Sequence, residues 1–233
     1  MKFRSLAFVA TPAVAVLATV AHAAAPAAPP KPLVVTDAAG DANAINGAGV
    51  VSGGGVPEGV PTDPASMAAY DIRSVTFAAT GKVTSKKVRG KTVKTFGCTG
   101  YTVAMEMAGT PSTTATLYRV QAQTPLHSTF WLQFSNPAGG ETSSVLRFNV
   151  PASPTDPTAT TKSVPLVNPA KVVGNKVVFT VTAADLGKAG EKLGRATITN
   201  IGADVRTATP RATAPMWDQL VTDGSQVWRV CPQ

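Results

Sequence analysis

Hydrophobic and polar positions alternate with a period of two through much of this chain. Tyr101, Val103, Met105 and Met107 are separated by Thr102, Ala104 and Glu106, so one face of the segment is predicted to be buried and the other wet. Residues 70–77, 116–122, 129–135 and 145–150 read as further strands, with the turn formers Thr124-Pro125 and Asn136-Pro137-Ala138-Gly139-Gly140 among the breaks. Residues 171–173 and 176–182 flank Gly174-Asn175, which has the length and composition of a two-residue hairpin turn. Shorter candidates lie at 33–36, 198–201 and 226–230, and residues 184–187 end their strand as a turn or short helix. About nine or ten strands without an amphipathic helix predict an all-β fold. Its expected form is an antiparallel β-sandwich of jelly-roll or immunoglobulin-like kind.

The N-terminus departs from this pattern. Lys2 and Arg4 precede an apolar run from Leu6 to Val20, and Ala21-His22-Ala23 follows with small residues at the right spacing. These are the three parts of a secretory signal peptide, expected over residues 1–23 with cleavage after Ala23. The run is shorter than the roughly 20 apolar residues that span a bilayer, and Pro12 interrupts it. No transmembrane anchor is expected after cleavage, and the product is expected to be secreted, either extracellular or in the cell envelope. Residues 24–32 are Ala and Pro apart from Lys31, which reads as an extended tether with nothing to pack. Residues 33–233 then suit a single β-sandwich domain. Within it, residues 42–66 are rich in Gly, Pro and Asn without periodicity, and read as a long loop that something must hold.

Charge adds a local feature. The formal charge is +8, or +6 once Lys2 and Arg4 leave with the leader, and Lys82, Lys86, Lys87, Arg89, Lys91 and Lys94 supply six cations in one short stretch. Such a patch attracts anionic polymers, including envelope glycans. No aromatic residue is interleaved to stack on bases, which argues against specific nucleic-acid recognition. Gly81 and Gly90 look like turn residues, so a solvated hairpin is the plainer reading of the same stretch.

Two cysteines, Cys98 and Cys231, in an exported chain make a disulfide the default. Catalytic motifs are not apparent: there is no nucleophile elbow, zinc spacing, Walker loop or dinucleotide fingerprint. A serine or cysteine hydrolase would depend on His127, the one histidine left after His22 departs with the leader. Glu58, Glu106, Glu141 and Glu191 are scattered, although a glycosidase pair is defined by separation in space. A non-catalytic protein is expected.

Asp37, Asp41 and Asp71 form the one acidic group of interest. Carboxylates on a turn and a neighbouring strand suit a hard cation, and Asn43 or Asn46 with loop carbonyls could complete a calcium shell. Asp and Gly are equally common turn formers, so capping of the turn explains the same residues. Calcium is the only cofactor the residues invite.

The order of three pieces carries a resemblance: Asp37-x-x-Gly40-Asp41, the strand opening Asp71-Ile72-Arg73-Ser74-Val75, and residues 174–187 from Gly174-Asn175-Lys176 to Asp185-Leu186-Gly187. Together these resemble secreted DOMON-like domains, β-sandwiches related to family-nine carbohydrate-binding modules, over nearly all of residues 33–230. The resemblance implies a non-catalytic extracellular module that binds sugars, haem or other small partners, often with calcium at a sheet edge. A haem site would need His127 with Met105 or Met107, whose alternation instead predicts core packing. A sugar site would need aromatic platforms, and Trp131, Trp217 and Trp228 are large enough. Trp131 lies in a strand run and is also readable as core, while Trp217 follows Ala214-Pro215-Met216 in an expected loop. Trp217 and Trp131 are therefore the ligand candidates. The expected function is a binding or accessory module for a carbohydrate or cell-envelope component. The alternatives are a structural envelope protein with protein partners, and an unfamiliar hydrolase.

Overall fold

The computed structural model describes residues 28–37, 45–46, 49–50, 67–112, 116–123, 128–135, 142–149, 161–186, 197–207, 216–221 and 228–229. They form two antiparallel sheets, as the alternation predicts. The five-stranded sheet joins β1 (Leu33–Thr36), β4 (Ile72–Val88), β5 (Lys91–Met107), β11 (Lys176–Thr182) and β10 (Asn168–Val173), in the order β1-β4-β5-β11-β10. The nine-stranded sheet runs β3 (Gly49–Val50), β2 (Ile45–Asn46), β13 (Met216–Val221), β12 (Thr197–Thr207), β6 (Thr116–Gln123), β7 (Ser128–Ser135), β8 (Thr142–Asn149) and β9 (Thr161–Pro165). β14 (Trp228–Arg229) pairs with β12 outside this path. A single helical turn, α1 (Ala183–Leu186), closes β11.

The core lies between the sheets because each strand turns alternate side chains inward. Phe77, Tyr101, Val103, Met105, Met107, Val177, Phe179 and Val181 come from the first sheet, and Tyr118, Val120, Leu132, Phe134, Val205 and Leu220 from the second. Burial of each such side chain contributes about 1.5–3 kcal/mol. Met105 and Met107 are fully buried here, in agreement with their expected packing role. Trp228 belongs to the core as well: its ring centre lies 5.8 Å from Phe77 and 6.0 Å from Tyr101. Its indole N–H donates to the Lys31 carbonyl at 3.1 Å. The last residues of the expected free tether are thus pinned by the other end of the chain.

β2 and β3 fall within the long loop expected at residues 42–66, and two further strands occupy segments not expected as strands. β9 lies in a Thr- and Pro-rich stretch and tolerates Pro165 at the edge of the sheet. β13 contains Trp217, so that residue sits in a strand and not in a loop. Val205 pairs with Asp218 and Arg206 with Met216, which makes Trp217 the extra residue of a bulge.

The basic stretch forms the tip of a hairpin far longer than expected. β4 and β5 have 17 residues each and stay paired from Ile72 and Met107 out to Val88 and Lys91. Arg89 and Gly90 connect them with φ of 50° and 78°. Positive φ at both positions defines the turn whose twist matches a two-residue hairpin. Gly81 is not a turn residue; it stands at a register shift between β4 and β5 in which Thr99 is the extra residue.

Candidate functional site

The inward alternation of β6, β7 and β12 leaves a second set of residues on the outer face of the nine-stranded sheet. On β6, Tyr118, Val120 and Ala122 enter the core, so Arg119 and Gln121 point the other way. On β7, Phe130, Leu132 and Phe134 are buried, which turns Trp131 and Gln133 outward. On β12, Ala203 and Val205 face the core while Gly202, Asp204 and Arg206 do not.

Strand register then assembles these residues into rows. Gln219, Asp204, Arg119, Gln133 and Ser144 stand side by side across β13, β12, β6, β7 and β8. The next row holds Gly202, Gln121 and Trp131. Gly202 contributes no side chain, so the sheet is shallow beside Gln121.

An ionic network organises the centre of this face. Arg119 donates to Asp204 Oδ2 from Nε at 2.8 Å and from Nη2 at 2.6 Å. Arg206 Nε donates to the other oxygen at 2.7 Å. The Arg119 and Asp204 side chains are only 10% and 8% exposed, so each needs the other to offset the loss of water. Above them, the Arg119 guanidinium lies 3.9 Å from the centre of the Trp131 ring, a cation–π arrangement. The half-buried Trp131 ring is therefore fixed in place between a charged group and the glutamine rows.

The remaining described carboxylates have structural partners. Asp218 Oδ2 accepts the Ile72 N–H at 2.5 Å and ties β13 to the opposite sheet. Asp185 accepts the backbone N–H groups of Val167 and Thr182, at 2.8 and 2.7 Å, and also the Thr182 hydroxyl. Glu106 pairs with Lys176 at 3.1 Å and receives the Asn175 amide. These contacts hold its carboxyl below the ordinary range, with the Lys176 hydrogen bond the largest cause. Burial pushes the Tyr118 hydroxyl up instead; it donates to the Ala69 carbonyl at 3.2 Å.

Two members of the expected acidic group, Asp37 and Asp71, are among the described residues. Asp37 N donates to the Arg73 carbonyl at 3.0 Å, which places the Asp37 backbone beside the start of β4, and Asp71 immediately precedes that strand. Asp71 is buried and pairs with Arg73 Nη2 at 2.9 Å. Asp41, Asn43, His127 and Cys231 lie outside the described residues, as do Glu58, Glu141 and Glu191. Among the described residues, no group of three His, Cys, Asp or Glu side chains could hold a metal ion. Nor is any helix among them long and apolar enough to cross a membrane.

Of the two ligand candidates, Trp131 is on the outer face and is not part of the core. Trp217 lies on β13, two strands from β6 in the same sheet, and its side chain is outside the described set. Sequence reading missed Arg119, Asp204 and Arg206. One signal was available: Arg119 and Trp131 each stand out of phase with the apolar residues of their own strand. Comparison of the chain with protein-family models, curated proteins and solved structures found no match.

Proposed function

We propose that this chain is a secreted, non-catalytic binding module that reads a carbohydrate or related cell-envelope component on the outer face of its nine-stranded sheet. The observation that carries the reading is the position of Trp131, an aromatic ring held on a polar sheet face by Arg119 and flanked by Gln121 and Gln133. A sugar ring offers an apolar C–H face to an aromatic surface and hydroxyl groups to amides and guanidinium groups. The face supplies both kinds of partner, and Gly202 leaves room for a ring to lie close to the sheet. Commitment of Asp71, Asp185, Asp204, Asp218 and Glu106 to arginine, lysine or backbone partners supports a binding role over a hydrolytic one. The DOMON-like resemblance of the sequence points the same way.

Export through residues 1–23 and a Cys98–Cys231 bridge complete the proposal. Trp228 packs on Tyr101, and each stands three residues from one of the cysteines. β14 therefore lies beside the part of β5 that carries Cys98, which supports this pairing.

A glycan array probed with the mature chain, with calcium and again with EDTA, tests the reading. Binding that is lost in Trp131→Ala supports it, and a dependence on calcium that Asp37→Ala and Asp71→Ala abolish would support an ion at the expected acidic group. An array with no binder in either condition sinks the carbohydrate reading and leaves the structural envelope protein.

A further inference from the structure

We propose that the β4–β5 ribbon is a second binding element, independent of the Trp131 face, that grips a linear polyanion carrying repeated phosphate or carboxylate groups. From Gly81 to Lys94 every residue is exposed, so the two strands leave the sandwich as an arm. Eight residues from Gly81 to Val88 at about 3.3 Å each give a reach of roughly 25 Å.

The arm concentrates charge of one sign. Between Lys82 and Thr95 there are six cations and no carboxylate. Register distributes them over both faces. Lys86 lies opposite Val93 and Lys91 opposite Val88, so these two lysines form a diagonal pair on one face, with Lys82 further along it. Lys94 lies opposite Ser85 and Lys87 opposite Thr92, a second diagonal pair on the other face. Diagonal neighbours are about 7–8 Å apart, and such like charges repel without an anion between them. Arg89 occupies the tip at positive φ.

The base of the arm is fixed. A Cβ at Gly81 would lie 2.2 Å from the Gly97 carbonyl oxygen and 2.8 Å from the Phe96 ring. Only glycine permits that approach, so the exit of the arm from the sheet is set by the backbone.

The pattern selects the partner. Val83 and Phe96 share one face and Val88 and Val93 the other. The cations are thus mixed with the apolar residues on both sides, and neither side is suited to lie in a lipid surface. No aromatic residue lies between Lys82 and Thr95 to stack on bases. A flexible chain with evenly repeated anionic groups, able to contact both faces, fits the arm best.

The test measures affinity for polyphosphate and for polygalacturonate over a range of salt, with vesicles of anionic phospholipid as a third probe. The two polymers separate a phosphate from a carboxylate source. Wild type is expected to bind at least one polymer with an affinity that falls steeply with salt. Replacing Lys86, Lys87, Lys91 and Lys94 together by Gln is expected to weaken binding at least tenfold. The salt slope should become shallower by about three to four, one unit per lost contact. The same four positions changed to Arg should retain binding, and Trp131→Ala should leave it unchanged, which separates this element from the glycan face. Equal polymer affinity of wild type and the Gln variant would overturn the proposal, as would binding to vesicles alone. A Gln variant that self-associates yet keeps wild-type polymer affinity would assign the lysines to protection of exposed strand edges and overturn it too.

Discussion

The guanidinium of Arg119 lies 3.9 Å from the centre of the Trp131 ring. The two residues sit on neighbouring strands, Arg119 opposite Gln133 and Trp131 opposite Gln121, so their contact is diagonal across the sheet. It orients the ring, and Asp204 in turn orients the guanidinium.

Asp204 is therefore expected to matter for stability before any ligand is present. Asp204→Ala leaves the Arg119 and Arg206 guanidinium groups without the carboxylate they share. Loss of one partner of a buried pair costs about 3 kcal/mol or more, equivalent to a fall of roughly 6–12 °C in Tm for a domain of this size. Calorimetry checks this; a change below about 2 °C would show that the network contributes little.

Asp185 is expected to be required for the join between β11 and the turn before β10. It accepts two backbone N–H groups that lie 15 residues apart, those of Val167 and Thr182. Asp185→Ala leaves both without this acceptor and should cost about 1–3 kcal/mol or more. Asp185→Asn keeps one acceptor oxygen and should cost less. Chemical denaturation of the two variants checks the order.

Glu106 gives a pH dependence of known sign. Its carboxyl titrates lower in the folded protein than in the unfolded chain. Its contribution is therefore fully present above the unfolded value of about 4.3 and is lost as pH falls through the folded value. Wild type should melt above Glu106→Gln at pH 6, and the gap should close toward pH 2. Both groups of the pair are substantially exposed, so the gap is expected to be small.

The proposed Cys98–Cys231 bridge predicts an intact mass lower by two hydrogens than that of the reduced chain. Chain-entropy arguments allow on the order of 4 to 5 kcal/mol for so long a loop, an upper figure. Cys98→Ser should therefore lower Tm measurably under oxidising conditions. It should leave Tm unchanged relative to wild type once both are reduced.

Much of this fold was legible in the sequence because local alternation determines burial. Tyr101, Val103, Met105 and Met107 all face the core, and Gly174-Asn175 forms its hairpin turn. β13 was hidden because Asp218, an inward-facing carboxylate, breaks its apolar pattern; its partner is the Ile72 N–H, 146 residues away. The site was legible only in part for the same reason. Trp131 was identifiable as a large aromatic, but its outward direction follows from the phase of Phe130, Leu132 and Phe134. The Arg119–Asp204 pair spans 85 residues, and no spacing rule links positions that meet only through sheet register. The basic stretch could be read as a hairpin, whereas its emergence as an arm depends on β4 and β5 outrunning their neighbours β1 and β11.

The most direct measurement is a titration of the 15N-labelled protein with the strongest glycan found on the array. If the outer face of the nine-stranded sheet is the reading surface, the Trp131 indole N–H and the side-chain amides of Gln121 and Gln133 should shift together and saturate with one affinity. Saturable shifts confined to other residues, with these three unmoved, would contradict the account.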